Sequence, residues 1–68
     1  MSDSTYKLIE IAGTSSESLD AAIQNGIKKA GESLRNIGWF QVGEIRGRVD
    51  ADKVAEYQVI MKVGLKLD

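Results

Sequence analysis

The sequence contains no cysteine, no histidine and no proline, and only four of its 68 residues are aromatic. Without cysteine there is no disulfide bridge, thiolate metal ligand or thiol nucleophile. Without histidine the chain also lacks the commonest general base and the commonest metal ligand. Uninterrupted apolar runs reach at most three residues, far short of the length that crosses a bilayer. These absences argue against a structural zinc, a transmembrane helix and most nucleophilic enzymes.

Charge and length narrow the class further. Nine Lys and Arg residues against ten Asp and Glu leave a net charge of −1, which argues against a nucleic-acid module with its basic stripe. Residues 1–68 predict a single domain, with a disordered segment over 1–4. That N-terminus has neither the basic nor the apolar region of a signal peptide, so we expect the cytoplasm. Because so small a core stabilises a fold only weakly, we also expect self-association.

The first half of the chain predicts a strand followed by a helix. Thr5 to Ala12 is rich in β-branched and aromatic residues and ends at Gly13, as a strand does. Thr14 with Glu17 fits a capping box, and Ser15 competes as the cap. Apolar residues then recur at helical spacing for about 21 residues. They are Leu19, Ala22, Ile23, Ile27, Ala30, Leu34 and Ile37. Gly38 is expected to end this helix in a left-handed conformation.

The second half predicts a long hairpin. Trp39 to Val49 is extended, with Gly43 and Gly47 as bulge or bend points. Asp50, Ala51 and Asp52 are interpreted as its loop. From Val54 to Leu67 one face of the last strand is wholly apolar, namely Ala55, Tyr57, Val59, Met61, Val63, Leu65 and Leu67. This period-two pattern predicts a strand with one buried face, so the fold class is α+β in the order β-α-β-β.

Few residues are candidates for chemistry. Trp39 is either a core residue over the helix end or a flat surface on which a planar ligand stacks. The amide of Gln58 is either a surface group or a partner for the edge of a heterocycle. A small enzyme would have to use Glu44, Arg46 and Tyr57, whose charge spacing is more typical of a solvated strand surface. Strand aromatics beside basic residues leave nucleic-acid binding as a weaker alternative.

The motifs resemble those of the dodecin family over nearly the whole chain, from about Tyr6 to Asp68. The matching segments are Gly13-Thr14-Ser15, Ala22-Ile23, Leu34-Arg35, Trp39-Phe40-x-Val42, Arg46-Gly47, Tyr57-Gln58-Val59 and Val63-Gly64. The resemblance implies a three-stranded antiparallel sheet wrapped around one helix and assembled into a hollow homododecamer. It also implies a protein that binds flavin and does not catalyse a reaction.

The resemblance assigns roles to individual residues. Paired flavins (riboflavin, lumichrome or FMN) would stack between Trp39 side chains of symmetry-related subunits, and Gln58 would hydrogen-bond the isoalloxazine edge. Arg46 resembles a residue near ligand tails or phosphates. The chain departs from the family pattern at Gln41, where Glu is common, and at Lys66, where Arg is frequent. These two positions are therefore also predicted to contact the ligand.

Two questions stay open at the level of sequence. Gly43 also replaces a bulkier residue, so the site could be degenerate and the shell could bind another ligand, such as coenzyme A. In addition, a hairpin that closes symmetrically about Ala51 would put Trp39 and Gln58 on opposite faces of the sheet. A bulge at Gly43 or Gly47 would change that register, but we expect the two residues to meet across subunits.

Overall fold

The computed structural model describes residues 3–67 and confirms the β-α-β-β order. Strand β1 spans Thr5–Ser15, helix α1 spans Leu19–Gly31, strand β2 spans Ile37–Asp50 and strand β3 spans Lys53–Leu67. The three strands form one antiparallel sheet in the order β1-β3-β2. The last strand is therefore the central one. Of the predicted disordered segment, residues 1 and 2 lie outside the described part, and Asp3 and Ser4 precede β1 without regular structure.

The core lies on one face of β3, which we call the inner face of the sheet. Val59, Met61 and Val63 are fully buried there and Leu65 almost so, as the alternating pattern of the last strand predicts. Helix α1 packs on this face over β1 and β3, with Ala22 fully buried against the sheet. Residues on the other side of the sheet form the outer face.

The helix begins later than predicted. Thr14 and Ser15 belong to β1, which continues past Gly13, so neither residue caps the helix. The N-cap is Ser18, whose Oγ accepts a hydrogen bond from the backbone N–H of Ala21 at 3.0 Å. The Oγ of Ser15 accepts from the N–H of Glu17 at 2.9 Å and so stabilises the turn that leads to the cap.

The helix also ends earlier than predicted, after 13 residues. Leu34 lies in the connection, and Ile37 is the first residue of β2, where it pairs with Leu65. Their helical spacing was misleading because the connection and the strand start happen to continue the apolar period. The left-handed conformation falls on Asn36, with φ 64°, and Gly38 is part of β2.

The hairpin loop has two residues and not three. Asp50 pairs with Lys53, which leaves Ala51 and Asp52 as the loop, with φ of 52° and 64°. Two successive positive φ values are typical of the tight turns whose twist matches that of the strands. The hairpin is therefore not centred on Ala51, and the register beyond it differs by one residue from the symmetric expectation.

Helix and sheet approach closely through backbone atoms. A Cβ on Gly13 would overlap the carbonyl oxygen of Ala22 and would lie 3.2 Å from the Cα of Gly26. A Cβ on Gly26 would lie 2.6 Å from the Cε of Met61. The helical glycine at 26 is thus explained by the neighbouring strand, whereas a Cβ on Gly31 would meet no atom within 4 Å.

Helix α1 leaves the inner side of β2 largely uncovered. Phe40, Val42 and Ile45 point to this side and are 45%, 38% and 58% exposed. One helix therefore does not cover the apolar surface of three strands, in agreement with the self-association expected from chain length. Within residues 3–67 no helix is long and apolar enough to cross a membrane.

The two glycines at 13 and 31 give a matched test of this packing. We expect Gly13→Ala to lower the free energy of unfolding by about 2–3 kcal/mol, because the added methyl overpacks the strand against the helix. Gly31→Ala is the control and is expected to be neutral or stabilising, because it adds helix propensity in open space. Urea unfolding of both variants at equal protein concentration measures the difference. Equal stabilities would show that the helix does not approach β1 as described.

Candidate functional site

All five residues proposed to contact the ligand are on the outer face of the sheet. Trp39 is paired with Gly64, Gln41 with Lys62, and Arg46 with Gln58. Residues directly opposite each other in an antiparallel pair point to the same side. The five candidates are Trp39, Gln41, Arg46, Gln58 and Lys66. The symmetric closure about Ala51, which would put Trp39 and Gln58 on opposite faces, is therefore wrong, and the alternative of a bulge applies.

A β-bulge at Gly43 produces this arrangement along β2. Trp39 and Arg46 are seven residues apart, and an odd spacing would place them on opposite faces of a regular strand. The register shifts by one residue between Val42 and Glu44, which leaves Gly43 without a partner on β3. The extra residue restores the alternation, so both side chains project from the outer face.

Trp39 lies directly over the backbone of Gly64. A Cβ built on Gly64 would lie 2.6 Å from Cζ2 and 2.7 Å from Nε1 of the indole. The ring of Tyr6 stands beside the indole, with centroids 5.7 Å apart and planes inclined by 59°. Such a tilted pair is a favourable aromatic geometry. The tryptophan nevertheless keeps 36% of its surface exposed. The indole therefore contacts the sheet with part of its surface and leaves another part accessible to solvent.

Arg46 and Gln58 form a second group, toward the hairpin loop. Arg46 makes an exposed ion pair with Glu44, with Nη2 and Oε1 3.3 Å apart. Gln58 is half-buried and donates from Nε2 to Oε1 of Glu56 at 3.0 Å. Each of the two candidate side chains is thus held by the carboxylate two residues before it on its own strand.

Gln41 and Lys66 lie near the tryptophan end of the outer face. Gln41 follows Trp39 by two residues on the same strand, opposite Lys62. Lys66 is exposed, pairs with Tyr6 on β1 and donates its backbone N–H to the carbonyl oxygen of Asn36 at 3.0 Å. Lys62 and Lys66 are therefore the two lysines that flank Gly64, the partner of Trp39, on the outer face.

The two groups are well separated within one chain. Gln58 precedes Gly64 by six residues on β3, and Gly64 is the partner of Trp39. At about 3.3 Å per residue this corresponds to about 20 Å along the strand. Side chains at that distance in one chain do not contact the same small planar ring system, so a site that uses both must combine two copies of the chain.

The arrangement does not support the alternative enzyme site. Tyr57 pairs with Gly47 on the inner side of the sheet, whereas Glu44 and Arg46 are on the outer side. Among residues 3–67 no three His, Cys, Asp or Glu side chains form a group that could hold a metal ion. Glu44 contacts Arg46 and Glu56 contacts Gln58, each within its own strand, so the expected cross-strand cluster of Glu44, Arg46 and Glu56 does not form.

Three residues of the candidate site have no predicted role in ligand binding from the sequence. Gly64 and Tyr6 support the indole, and Glu56 orients the Gln58 amide. A glycine in the otherwise regular last strand was a usable signal, because such a glycine often marks a close approach. Tyr6 carried no comparable signal, since its contact depends on the strand order β1-β3-β2.

We expect Gly64→Ala to displace the indole, because its methyl group would occupy the space of the ring. Since Trp39 is the single tryptophan, its emission maximum and near-ultraviolet circular dichroism report the change directly. Gly43→Ala is the control, because its Cβ would lie 3.5 Å from the nearest atom, the carbonyl oxygen of Ile60. A Gly64→Ala spectrum identical to wild type would contradict the placement of the indole.

Comparisons with known proteins agree with this fold. A family model described as Dodecin matches residues 5–68. A dodecin of Thermus thermophilus is 48% identical over 63 residues, which cover 93% of this chain and 91% of that protein. The structure is similar to dodecin from Streptomyces davaonensis, with a TM-score of 0.92, 48% identity and 98% of each chain covered. It is also similar to dodecin from Streptomyces coelicolor, with a TM-score of 0.93, 38% identity and coverage of 100% of this chain and 97% of that one. The chain therefore belongs to the dodecin family.

Proposed function

We propose that this protein is a flavin-binding homododecamer that stores flavin in the cytoplasm and does not catalyse a reaction. Paired isoalloxazines of riboflavin, lumichrome or FMN would stack between Trp39 side chains of neighbouring copies. The observation that carries this proposal is the indole of Trp39, which is fixed over Gly64 and beside Tyr6 while part of it stays exposed. A rigid, supported aromatic surface loses little conformational freedom when a planar ligand stacks on it.

The separation of Trp39 from Gln58 on the outer face is the reason why the proposed site needs more than one copy of the chain. A ligand on Trp39 is about 20 Å from Gln58 of the same chain. Gln58 therefore contacts the isoalloxazine edge of a ligand that is stacked on another copy. The exposed apolar residues on the inner side of β2, Phe40, Val42 and Ile45, provide the surface through which such copies associate.

Protection of the flavin follows from the chemistry of the stacked pair. An indole in contact with an excited isoalloxazine donates one electron to it, and the electron returns before radicals escape. This cycle leaves both partners unchanged and quenches the flavin fluorescence. Storage and suppression of flavin photochemistry are thus two results of one contact.

A riboflavin titration of the ligand-free protein tests the function. We expect strong quenching that saturates near one flavin per chain, in a particle of about twelve chain masses. Trp39→Ala should keep the particle mass and lose most of the affinity, because it removes the stacking surface. Trp39→Phe is the graded control, since it keeps a ring that stacks but donates electrons poorly, so quenching should fall more than binding.

Two outcomes of this titration would contradict the proposal. A dodecamer of Trp39→Ala that binds riboflavin as well as wild type would show that the indole is not the binding surface. A large wild-type particle that leaves flavin fluorescence unchanged, and that purifies colourless with an adenine-like absorption, would favour the alternative of a shell for coenzyme A. Gln41, Gly43 and Lys66 would then be the residues that distinguish it from flavin-binding relatives.

The charged residues of the outer face are proposed to select among flavins. Arg46 and Lys66 carry the positive charge that a phosphate group would contact, whereas riboflavin has no phosphate. We expect Arg46→Ala and Lys66→Ala each to lower the affinity for FMN about two- to fivefold, which is the effect of an exposed ion pair. The affinity for riboflavin should stay unchanged. Fluorescence titrations with both flavins at low and high salt measure this.

Arg48→Ala is the matched control for this selectivity. Arg48 is two residues from Arg46 on the same strand and the same face, and it pairs with Glu56. Its removal changes the net charge equally, so a general electrostatic effect would weaken FMN in all three variants. If Arg48→Ala lowers the affinity for FMN as much as Arg46→Ala does, the phosphate is attracted by net charge and not by a specific contact.

A further inference from the structure

The hydrogen bond between Gln58 and Glu56 determines which end of the Gln58 amide is available. An ionised carboxylate accepts hydrogen bonds and has none to donate, so only the NH₂ end of the amide can face Glu56. The observed contact, Nε2 to Oε1 at 3.0 Å, is this arrangement. The amide oxygen is thereby turned away from Glu56, together with one remaining N–H.

The position of this pair makes the orientation consequential. Both residues are half-buried on the outer face of the central strand. Across the hairpin from Gln58 is Arg46, whose guanidinium is engaged by Glu44 at 3.3 Å. Since Arg46 has its own carboxylate, Glu56 is the acidic group that orients the amide. A hydrogen bond to a charged acceptor is stronger than one between neutral groups, so it holds the amide firmly.

We propose that Glu56 is a positioning residue that fixes the Gln58 amide with its oxygen toward the ligand. This inference rests on the proposed function and specifies the part of the ligand that is recognised. The fixed amide presents an acceptor beside a donor, which complements a ring N–H flanked by a carbonyl oxygen. The imide edge of an isoalloxazine has this pattern. Glu56 thus selects ligands that carry the ring N–H and acts through Gln58 without touching the ligand.

The test compares riboflavin with 3-methylriboflavin, in which a methyl group replaces the ring hydrogen. Wild type is expected to bind riboflavin more tightly than the methylated analogue. In Glu56→Gln the neutral side chain accepts or donates equally well, so the Gln58 amide adopts both orientations. We expect riboflavin affinity to fall about three- to tenfold, the range of one net hydrogen bond, while the methylated analogue changes little. The preference between the two flavins should therefore collapse.

Three further variants separate orientation from a general structural effect. Glu10→Gln makes the same charge change on the outer face of β1, opposite Lys62, and should keep the wild-type preference. Glu56→Asp retains the charge and should keep part of the preference, which a purely steric defect would not. In a Gln58→Leu background the Glu56→Gln change should have no further effect, because the residue it positions is gone.

The outcomes distinguish this inference from the proposed function. If wild type binds riboflavin and Glu56→Gln keeps the preference against 3-methylriboflavin, the positioning role is wrong while flavin binding stands. If Glu56→Gln does not assemble, an undiminished preference against 3-methylriboflavin in Gln58→Leu overturns the role equally. If wild type does not bind riboflavin, both are overturned.

Discussion

The register of the hairpin between β2 and β3 is the constraint on which the outer face depends. Ala51 and Asp52 form a two-residue loop, and irregularities near Val49 and at Gly43 each shift the pairing by one residue. The two shifts are in opposite directions and cancel, so Trp39 pairs with Gly64 on the outer face in the register that the loop sets. A change of one residue at any of these points would turn the indole toward the helix, because side chains alternate along a strand. The arrangement of the candidate site thus depends on backbone register as well as on side-chain chemistry.

The backbone of the sheet is approached closely by a neighbouring group on each of its two faces. On the inner side, Gly13 admits the carbonyl oxygen of Ala22, which brings the helix down on the sheet. On the outer side, Gly64 admits the indole of Trp39. Glycine is required at both places because any Cβ would occupy space that a neighbouring group already fills. The first contact stabilises the fold, whereas the second supports the indole that the proposed function uses.

Element type and core could be predicted from the sequence, because the pattern of β3 is long and regular. Of the seven residues predicted to form its buried face, Val59, Met61, Val63 and Leu65 are buried, Ala55 and Tyr57 are half-buried, and Leu67 at the strand end is 50% exposed. Element ends could not be predicted so well. Leu34 and Ile37 continue the helical period although one lies in the connection and the other in β2. The loop is where it was predicted but is one residue shorter, because Ala51 is an unusual residue at positive φ, where Asn or Gly is the expected signal of a two-residue turn.

The candidate site was predictable as a set of residues but not as a geometry. Trp39 and Gln58 were identified through family motifs, whereas their common face follows from a register that alternation alone does not determine. The supporting residues Tyr6 and Glu56 are visible only once the strands are placed.

The separation of about 20 Å between the Trp39 group and the Gln58 group has a thermodynamic consequence. Under the proposed function, a flavin that contacts Trp39 of one copy and Gln58 of another binds the assembly and not the isolated chain. Such a ligand stabilises the assembly by mass action. In a chain with no disulfide and a small core, ligand binding and quaternary stability are therefore coupled through the same side chains.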